Sequence, residues 1–133
     1  MTDVLAVAEH RRGDLRQVSH ELVTAGRELA EQTGGSLHVA VISGDVDAYA
    51  DQLNCDGVDT IHTVSHGEEF NHDTYTQVVS QLFESVSAQY LLAPHTVNGM
   101  DYVPAVATKL DVPLTTDVVD IDYDDGLVVT REM

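Results

Sequence analysis

Tyr90-Leu-Leu-Ala-Pro-His-Thr-Val-Asn-Gly-Met-Asp-Tyr-Val-Pro-Ala-Val-Ala-Thr-Lys-Leu-Asp-Val-Pro-Leu-Thr-Thr-Asp-Val-Val-Asp-Ile-Asp122 is the stretch that decides the fold. The apolar run Tyr90 to Ala93 ends at Pro94, and a small polar loop follows. Val103, Val106, Ala107 and Leu110 then recur on one helical face until Pro113 breaks the pattern. A second apolar run begins at Leu114. Strand, loop, helix and strand in that order make one crossover of a parallel sheet. Asp101 is the predicted N-cap of the helix, which places Pro104 in the first turn, where its missing N–H costs little. Asn98 and Gly99 fall in the loop at the carboxyl end of a strand, where such sheets build ligand or partner surfaces.

The same alternation extends outward. Val4 to Ala8 is a continuous apolar run, as in a strand buried on both faces. Arg11 to Gln17 is polar and reads as a loop or a short ribbon. Ser19 is the predicted cap of a helix carrying Leu22, Ala25, Gly26, Leu29 and Ala30, stopped by Gly34-Gly35. Leu37 to Ile42 is a second strand. Asp45 is placed to cap a short helix with Val46, Tyr49, Ala50 and Leu53 buried, ended by Gly57, and Thr60 to Val64 is a third strand. After a polar loop from Ser65 to Asp73, Thr74-x-x-Gln77 fits a capping box. It introduces the apolar stripe Tyr75, Val78, Val79, Leu82, Phe83 and Val86. Tyr90 to Ala93 is the fourth strand and Thr116 to Tyr123 the fifth; Asp124-Asp125-Gly126 turns into a hairpin partner at Leu127 to Thr130. The predicted fold is α/β, a three-layer α/β/α sandwich. Its mainly parallel five-stranded sheet has the order 3-2-1-4-5 plus a C-terminal hairpin strand, an architecture like that of adenine-nucleotide-binding domains. Residues 1–133 form one domain.

Charge is the extreme feature of the composition. There are 23 Asp and Glu against six Lys and Arg, a net charge of -17, and Lys109 is the one lysine. Such a surface repels nucleic acid phosphates and anionic membranes, which argues against nucleic acid as a partner. Acidic residues spread along the whole chain with so little lysine predict a salt-adapted, haloarchaeal type of cytoplasm, the alternative being an ordinary acidic protein. No apolar run approaches the roughly 20 residues needed to cross a bilayer, and the N-terminus does not resemble a signal peptide, so a soluble cytoplasmic protein is expected. Cys55 stands alone, without a nearby Lys or Arg, and is expected to be a passive thiol.

The strand reversal in the predicted order lies between strands one and four. The crevice there would be lined by Glu9 and His10 on one side and by His95, Thr96, Asn98 and Gly99 on the other. Nucleotide-binding relatives of this architecture cradle phosphate there with a glycine-rich loop and a helix N-terminus. This chain has no Gly-x-Gly-x-x-Gly and no Gly-Lys-Ser/Thr, so nucleotide binding is not the expectation. His62, His66 and His72, with Glu68 and Glu69 between the last two, invite a metal reading, but their spacing matches no recognised ligand pattern and surface histidines are the better account. Asp120-x-Asp122-x-Asp124-Asp125-Gly126 imitates a calcium loop. Its glycine is one position late and Arg131 stands where the bidentate Glu belongs, so a strand with one wet face is expected. Gly-x-Ser-x-Gly is absent, and paired carboxylates in so acidic a chain do not identify an acid–base pair. No catalytic, cofactor-binding or metal residue is therefore assigned.

Gly99, Asp101, Pro104, Ala107 and Leu110, followed by Thr116 and Asp117, reproduce a family pattern: Gly-x-Asp-x-x-Pro-x-x-Ala-x-x-Leu and a strand entered through a Thr/Asp pair. With the opening Val4-Leu-Ala-Val-Ala-Glu9-His10 and Ser19-x-Glu21-Leu22, the chain resembles the N-terminal domain of the electron transfer flavoprotein alpha subunit over nearly all of its length. It departs at Met100, where the family usually carries Arg. The resemblance implies an electron carrier rather than a substrate-turning enzyme. It implies a heterodimer with a beta subunit that holds FAD, with acyl-CoA or related dehydrogenases as donors and a membrane quinone oxidoreductase as acceptor. The family's FAD site lies mainly in a second alpha domain. The 133 residues are therefore expected to be the first domain of a longer chain, a scaffold with no flavin of its own, and Glu9, His10, Asn98 and Asp101 are the positions expected at interdomain or subunit contacts. The competing expectations are a stand-alone stress-type protein that binds ATP or AMP, and an enzyme using a metal in the His62–His72 loop.

Overall fold

The structure is a computed structural model that describes residues 3–11, 14–43, 46–65, 71–123 and 126–131. Its centre is a parallel sheet of four strands: β1 (Val4–Val7), β4 (Leu37–Ser43), β5 (Thr60–Ser65) and β6 (Tyr90–Leu92). They lie in the order β5-β4-β1-β6, so β1 sits inside with β4 and β6 as neighbours. Register is set by pairs such as Val4↔Leu37, Val4↔Tyr90 and Ala40↔His62. Between β1 and the first helix lies a two-residue ribbon, β2 (His10–Arg11) against β3 (Asp14–Leu15).

Each face of the sheet is covered by two helices, which makes three layers. Alternate residues Val4, Ala6, Leu37, Val39 and Val41 pack with Val23, Leu29 and Ala30 of α1 (Gln17–Thr33) and with Tyr49 and Leu53 of α2 (Val46–Leu53). On the opposite face Val7 and Ile42 pack with Tyr75 and Val79 of α3 (His72–Ser85) and with Tyr102 and Val106 of α4 (Val97–Leu110). β1 is buried at every position, as its unbroken apolar run requires. Among the described residues no helix is long and apolar enough to cross a membrane.

The predicted fifth strand is a correction. Residues Val118–Tyr123 form β7, but β7 does not join the central sheet; it pairs antiparallel with β8 (Leu127–Arg131) as a separate two-stranded sheet. The five-strand order 3-2-1-4-5 thus becomes four strands plus a hairpin. The reason is in the residues. A strand covered by helices on both faces must be apolar on both, whereas Asp120 and Asp122 are exposed and only Ile121 and Tyr123 turn inward, against the α1 side of the core. Gln32 Nε2 on α1 donates to Asp122 at 3.1 Å and helps seat the hairpin there. This is the wet-faced strand expected in place of a calcium loop; Asp124 and Asp125 lie outside the described residues.

The helix starts are corrected as well. α1 begins at Arg16 rather than Ser19, α3 is capped by Asn71, whose side chain accepts from Thr74 N–H, and α4 is capped by Thr96 rather than Asp101. Pro104 consequently stands in the interior of α4, not in its first turn. The proposed Asp45 cap of α2 lies outside the described residues. Gly34 ends α1 in the left-handed region at φ 71°, as the Gly34-Gly35 pair predicts.

Candidate functional site

Strand order reverses between β1 and β6, and the residues that leave their carboxyl ends meet there. Glu9 is held in this crevice by its backbone before its side chain acts. Its N–H donates to Ser19 Oγ at 2.7 Å, and its carbonyl accepts from Ser19 Oγ at 2.7 Å and from Arg16 N–H at 2.9 Å. Ser19 is fully buried and spends its hydroxyl on this clamp, which is why it does not cap α1. The start of α1 is thereby bolted to the end of β1.

The Glu9 side chain, only 4% exposed as a residue, crosses to the other side of the crevice. Oε1 accepts from Thr96 Oγ1 at 2.6 Å, and Oε2 meets Arg16 Nη1 at 2.9 Å. Thr96 uses its hydroxyl twice: it donates to Glu9 and accepts the Gly99 N–H at 3.1 Å as the cap of α4. Arg16 is partly open to solvent while Glu9 is not, so the guanidinium lies between the carboxylate and water. Replacing Glu9 with Ala should leave Thr96 and Arg16 unpartnered at this point and cost about 2 kcal/mol, read as a lower urea midpoint; an unchanged midpoint would remove the clamp from the fold's stability.

Gly99 closes the crevice sterically. A Cβ at this position would collide with the carbonyl oxygen of Pro94, so the first turn of α4 lies directly on the β6–α4 loop. Its neighbour Asn98 is half-buried, and Val97 and Met100 point outward at 86% and 59% exposure.

The remaining crevice candidates separate. His10 turns away from His95: its Nε2 lies 2.6 Å from the Ile42 carbonyl oxygen, which fixes Nε2 as the protonated nitrogen, and its ring stacks on Tyr49 with centroids 4.8 Å apart. Tyr75 Oη donates to the same carbonyl at 3.3 Å. Burial, with added repulsion from the Glu9 carboxylate and from Tyr49, pushes the Tyr75 phenol up to about 12. Burial likewise raises that of Tyr102, whose ring lies against Tyr75. Neither phenol is placed to act as an acid or base near neutral pH. Asp101 is exposed on α4 and pairs with His72 Nδ1 at 3.1 Å, tying α4 to the start of α3.

His95 joins a second junction that sequence reasoning missed. Its Nε2 lies 3.1 Å from Asp117, a residue at φ 58°, and Arg131 Nη2 reaches the other Asp117 oxygen at 3.9 Å. Arg131 Nε donates to the Thr116 carbonyl at 2.8 Å. The Thr/Asp pair therefore fastens the linker after α4 between the β6–α4 loop and the hairpin. Its signal in the sequence is the left-handed turn an Asp tolerates before a strand. The histidines that invited a metal reading have other partners where they are described. His62 faces His38, His72 faces Asp101, and His66, Glu68 and Glu69 lie outside the described residues. Among the described residues no three potential ligands converge.

Chemically, the crevice is a filled, charge-paired clamp. The described residues do not fit the diphosphate of a flavin or adenine nucleotide: a carboxylate occupies its centre, and Thr96 already caps an N–H of the α4 first turn. Comparison with known proteins adds a family. The sequence model for the electron transfer flavoprotein domain matches residues 4–133. The chain is similar to the electron transfer flavoprotein subunit alpha of Methylophilus methylotrophus, 36% identical over 133 residues that cover 98% of this chain and 41% of that protein. It is 32% identical to the protein FixB of Bradyrhizobium diazoefficiens, over 96% of this chain and 37% of that one. It is 28% identical to the acryloyl-CoA reductase electron transfer subunit beta of Anaerotignum propionicum, over 92% and 34%. The chain spans about two fifths of the length of the curated relatives it matches.

Proposed function

Because this chain belongs to the electron transfer flavoprotein domain family, we propose that it is an alpha-type N-terminal domain that acts as a scaffold rather than as a flavin site. The observation that carries the reading is the Glu9 carboxylate, buried at the sheet reversal and bonded to Thr96 and Arg16. Negative charge at that point opposes the phosphate that the architecture otherwise receives there. In this reading FAD is bound mainly by a separate domain, a beta-type subunit completes the assembly, and electrons pass from acyl-CoA or related dehydrogenases to a quinone oxidoreductase. The domain positions the carrier and turns over no substrate. Its setting is a cytoplasm of high salt.

The surface supports a docking role. Val97, Met100, Leu114, Val119 and Val128 expose apolar side chains on the start of α4, the following linker and the hairpin. The contacts of His95, Thr116, Asp117 and Arg131 hold those elements together. In this reading these apolar side chains are where the partner docks.

The test uses the 133-residue chain with FAD, with AMP or ATP, and with a beta-type subunit in turn. No flavin or nucleotide should bind at stoichiometric concentration by calorimetry. The beta-type subunit should bind, and Val97→Asp with Met100→Asp should weaken that association about tenfold or more. A yellow preparation with one FAD per chain, or AMP bound at the crevice, would overturn the scaffold reading.

A further inference from the structure

His38 and His62 lie outside the crevice and stand within hydrogen-bond distance of each other on the central sheet. They stand on neighbouring strands in the same α3-facing row, because Ala40, two residues from His38, is the register partner of His62. His38 Nδ1 lies 3.0 Å from His62 Nε2, and His38 Nε2 lies 3.4 Å from Asp3 Oδ2. Asp3 is itself fixed, since its other oxygen accepts the Ser36 N–H at 3.1 Å.

This geometry sets the tautomers. Asp3 accepts, so His38 carries its proton on Nε2 and offers the Nδ1 lone pair; His62 must then donate from Nε2. The ring planes are 21° apart, and their 5.2 Å centroid separation exceeds the nitrogen–nitrogen distance by about two ring radii, so the rings meet end to end. Head-on lone pairs at this distance hold a proton. A chelated metal needs them to converge on a point about 2 Å from each nitrogen.

We propose that Asp3, His38 and His62 form a one-proton site that locks the edge strand β5 to the sheet near neutral pH and above, and releases it in acid. One added proton still leaves a single N–H on the axis between the two rings, so the chain of hydrogen bonds survives it. A second proton puts two cations on one hydrogen-bond axis, and the link breaks. Among the described residues the surroundings offer no relief. β1, β4 and β5 carry no other titratable side chain within their spans. Asp59, just before β5, is engaged by the Leu37 N–H at 2.7 Å, and the α3 residues over this face, Leu82 and Phe83, are apolar, with Glu84 exposed. Burial first, and repulsion from His38 second, hold the His62 imidazole below its ordinary value of 6.5. The sign follows: the depressed group contributes its stability above pH 6.5, and that contribution is lost as pH falls through the lower folded value.

Two measurements on the chain in 1 M KCl test the site. Imidazole nitrogen shifts should show His62 as the Nε2–H tautomer at pH 8, with a His62 midpoint below 6.5. Intrinsic-rate-corrected hydrogen exchange should show β5 protection falling several-fold more than β1 protection between pH 7.5 and 5.5, a difference lost in His62→Gln. A His62 ring with an ordinary midpoint, unchanged in His38→Gln, or β5 and β1 protection falling in parallel, would overturn the proposal.

Discussion

Gly99→Ala should lower the stability of the chain by about 3 kcal/mol, seen as a urea midpoint lower by roughly 1.5 M. The sign is what makes this informative. Gly99 lies within α4, and a helix-propensity account predicts that Ala stabilises it by about 1 kcal/mol. The packing account predicts the reverse, because the added Cβ runs into the Pro94 carbonyl oxygen. A backbone oxygen cannot swing aside, so either the first turn of α4 or the loop at 94–96 must move. Either movement pulls Thr96 away from Glu9 and loosens the clamp between β1 and β6. Gly26→Ala is the control. There the new Cβ meets the Cδ1 end of Leu37, a flexible side chain that can shift, and the loss should be smaller. A stabilised Gly99→Ala variant would show that the close approach does not hold in solution.

The layers and most element positions could be read from the residues because they rest on local patterns. The unbroken run at Val4 to Ala8, the stripe from Tyr75 to Val86 and the glycine stop at Gly34 each depend on neighbours within one or two turns. The misplaced features depend on distant partners. Ser19 looks like a cap, but the Glu9 backbone claims its hydroxyl. Asp101 looks like a better cap than Thr96, but the Gly99–Pro94 contact lets the helix begin a turn earlier. Thr96 and Glu9 are 87 residues apart, and the register that sets His38 beside His62 is invisible until β4 and β5 pair. For β7 the clue is local: alternating Asp at 120 and 122 does not suit a place between two helical layers. The family was legible for a different reason. Its pattern of Gly99, Asp101, Pro104, Thr116 and Asp117 sits where chain geometry is tightest, and there the structure supplies a reason for two of the residues: the close approach at Gly99 and the left-handed turn at Asp117.

Raising KCl from 0.1 to 2 M at pH 7.5 should increase Tm by on the order of 10 °C. The chain carries a net charge of -17, and its few cations are poorly placed to offset it. Among the described residues, Arg16 is engaged with the buried Glu9, Arg131 serves the Asp117 junction, and the other ion pairs depend on His38, His72 and His95, which are charged only when protonated. Asp51, Asp56, Asp59, Asp73, Asp111, Asp120 and Asp122 are exposed, and among the described residues no side chain of these except those of Asp59 and Asp122, which accept from Leu37 N–H and Gln32, is bonded to another element. At 0.1 M salt the Debye length is about 10 Å, long enough for neighbouring carboxylates to repel across the surface; at 1 M it is about 3 Å. Folding concentrates that charge, so screening favours the folded state. The exposed ion pairs that salt weakens contribute little by comparison. Relief of about 2–3 kcal/mol corresponds to the stated shift for a domain of this size. The electrostatic origin has its own signature: the same salt step near pH 4, where carboxylates take up protons, should raise Tm much less. A Tm that is flat in KCl at pH 7.5, or that rises equally at both pH values, would show that charge repulsion is not what limits this fold.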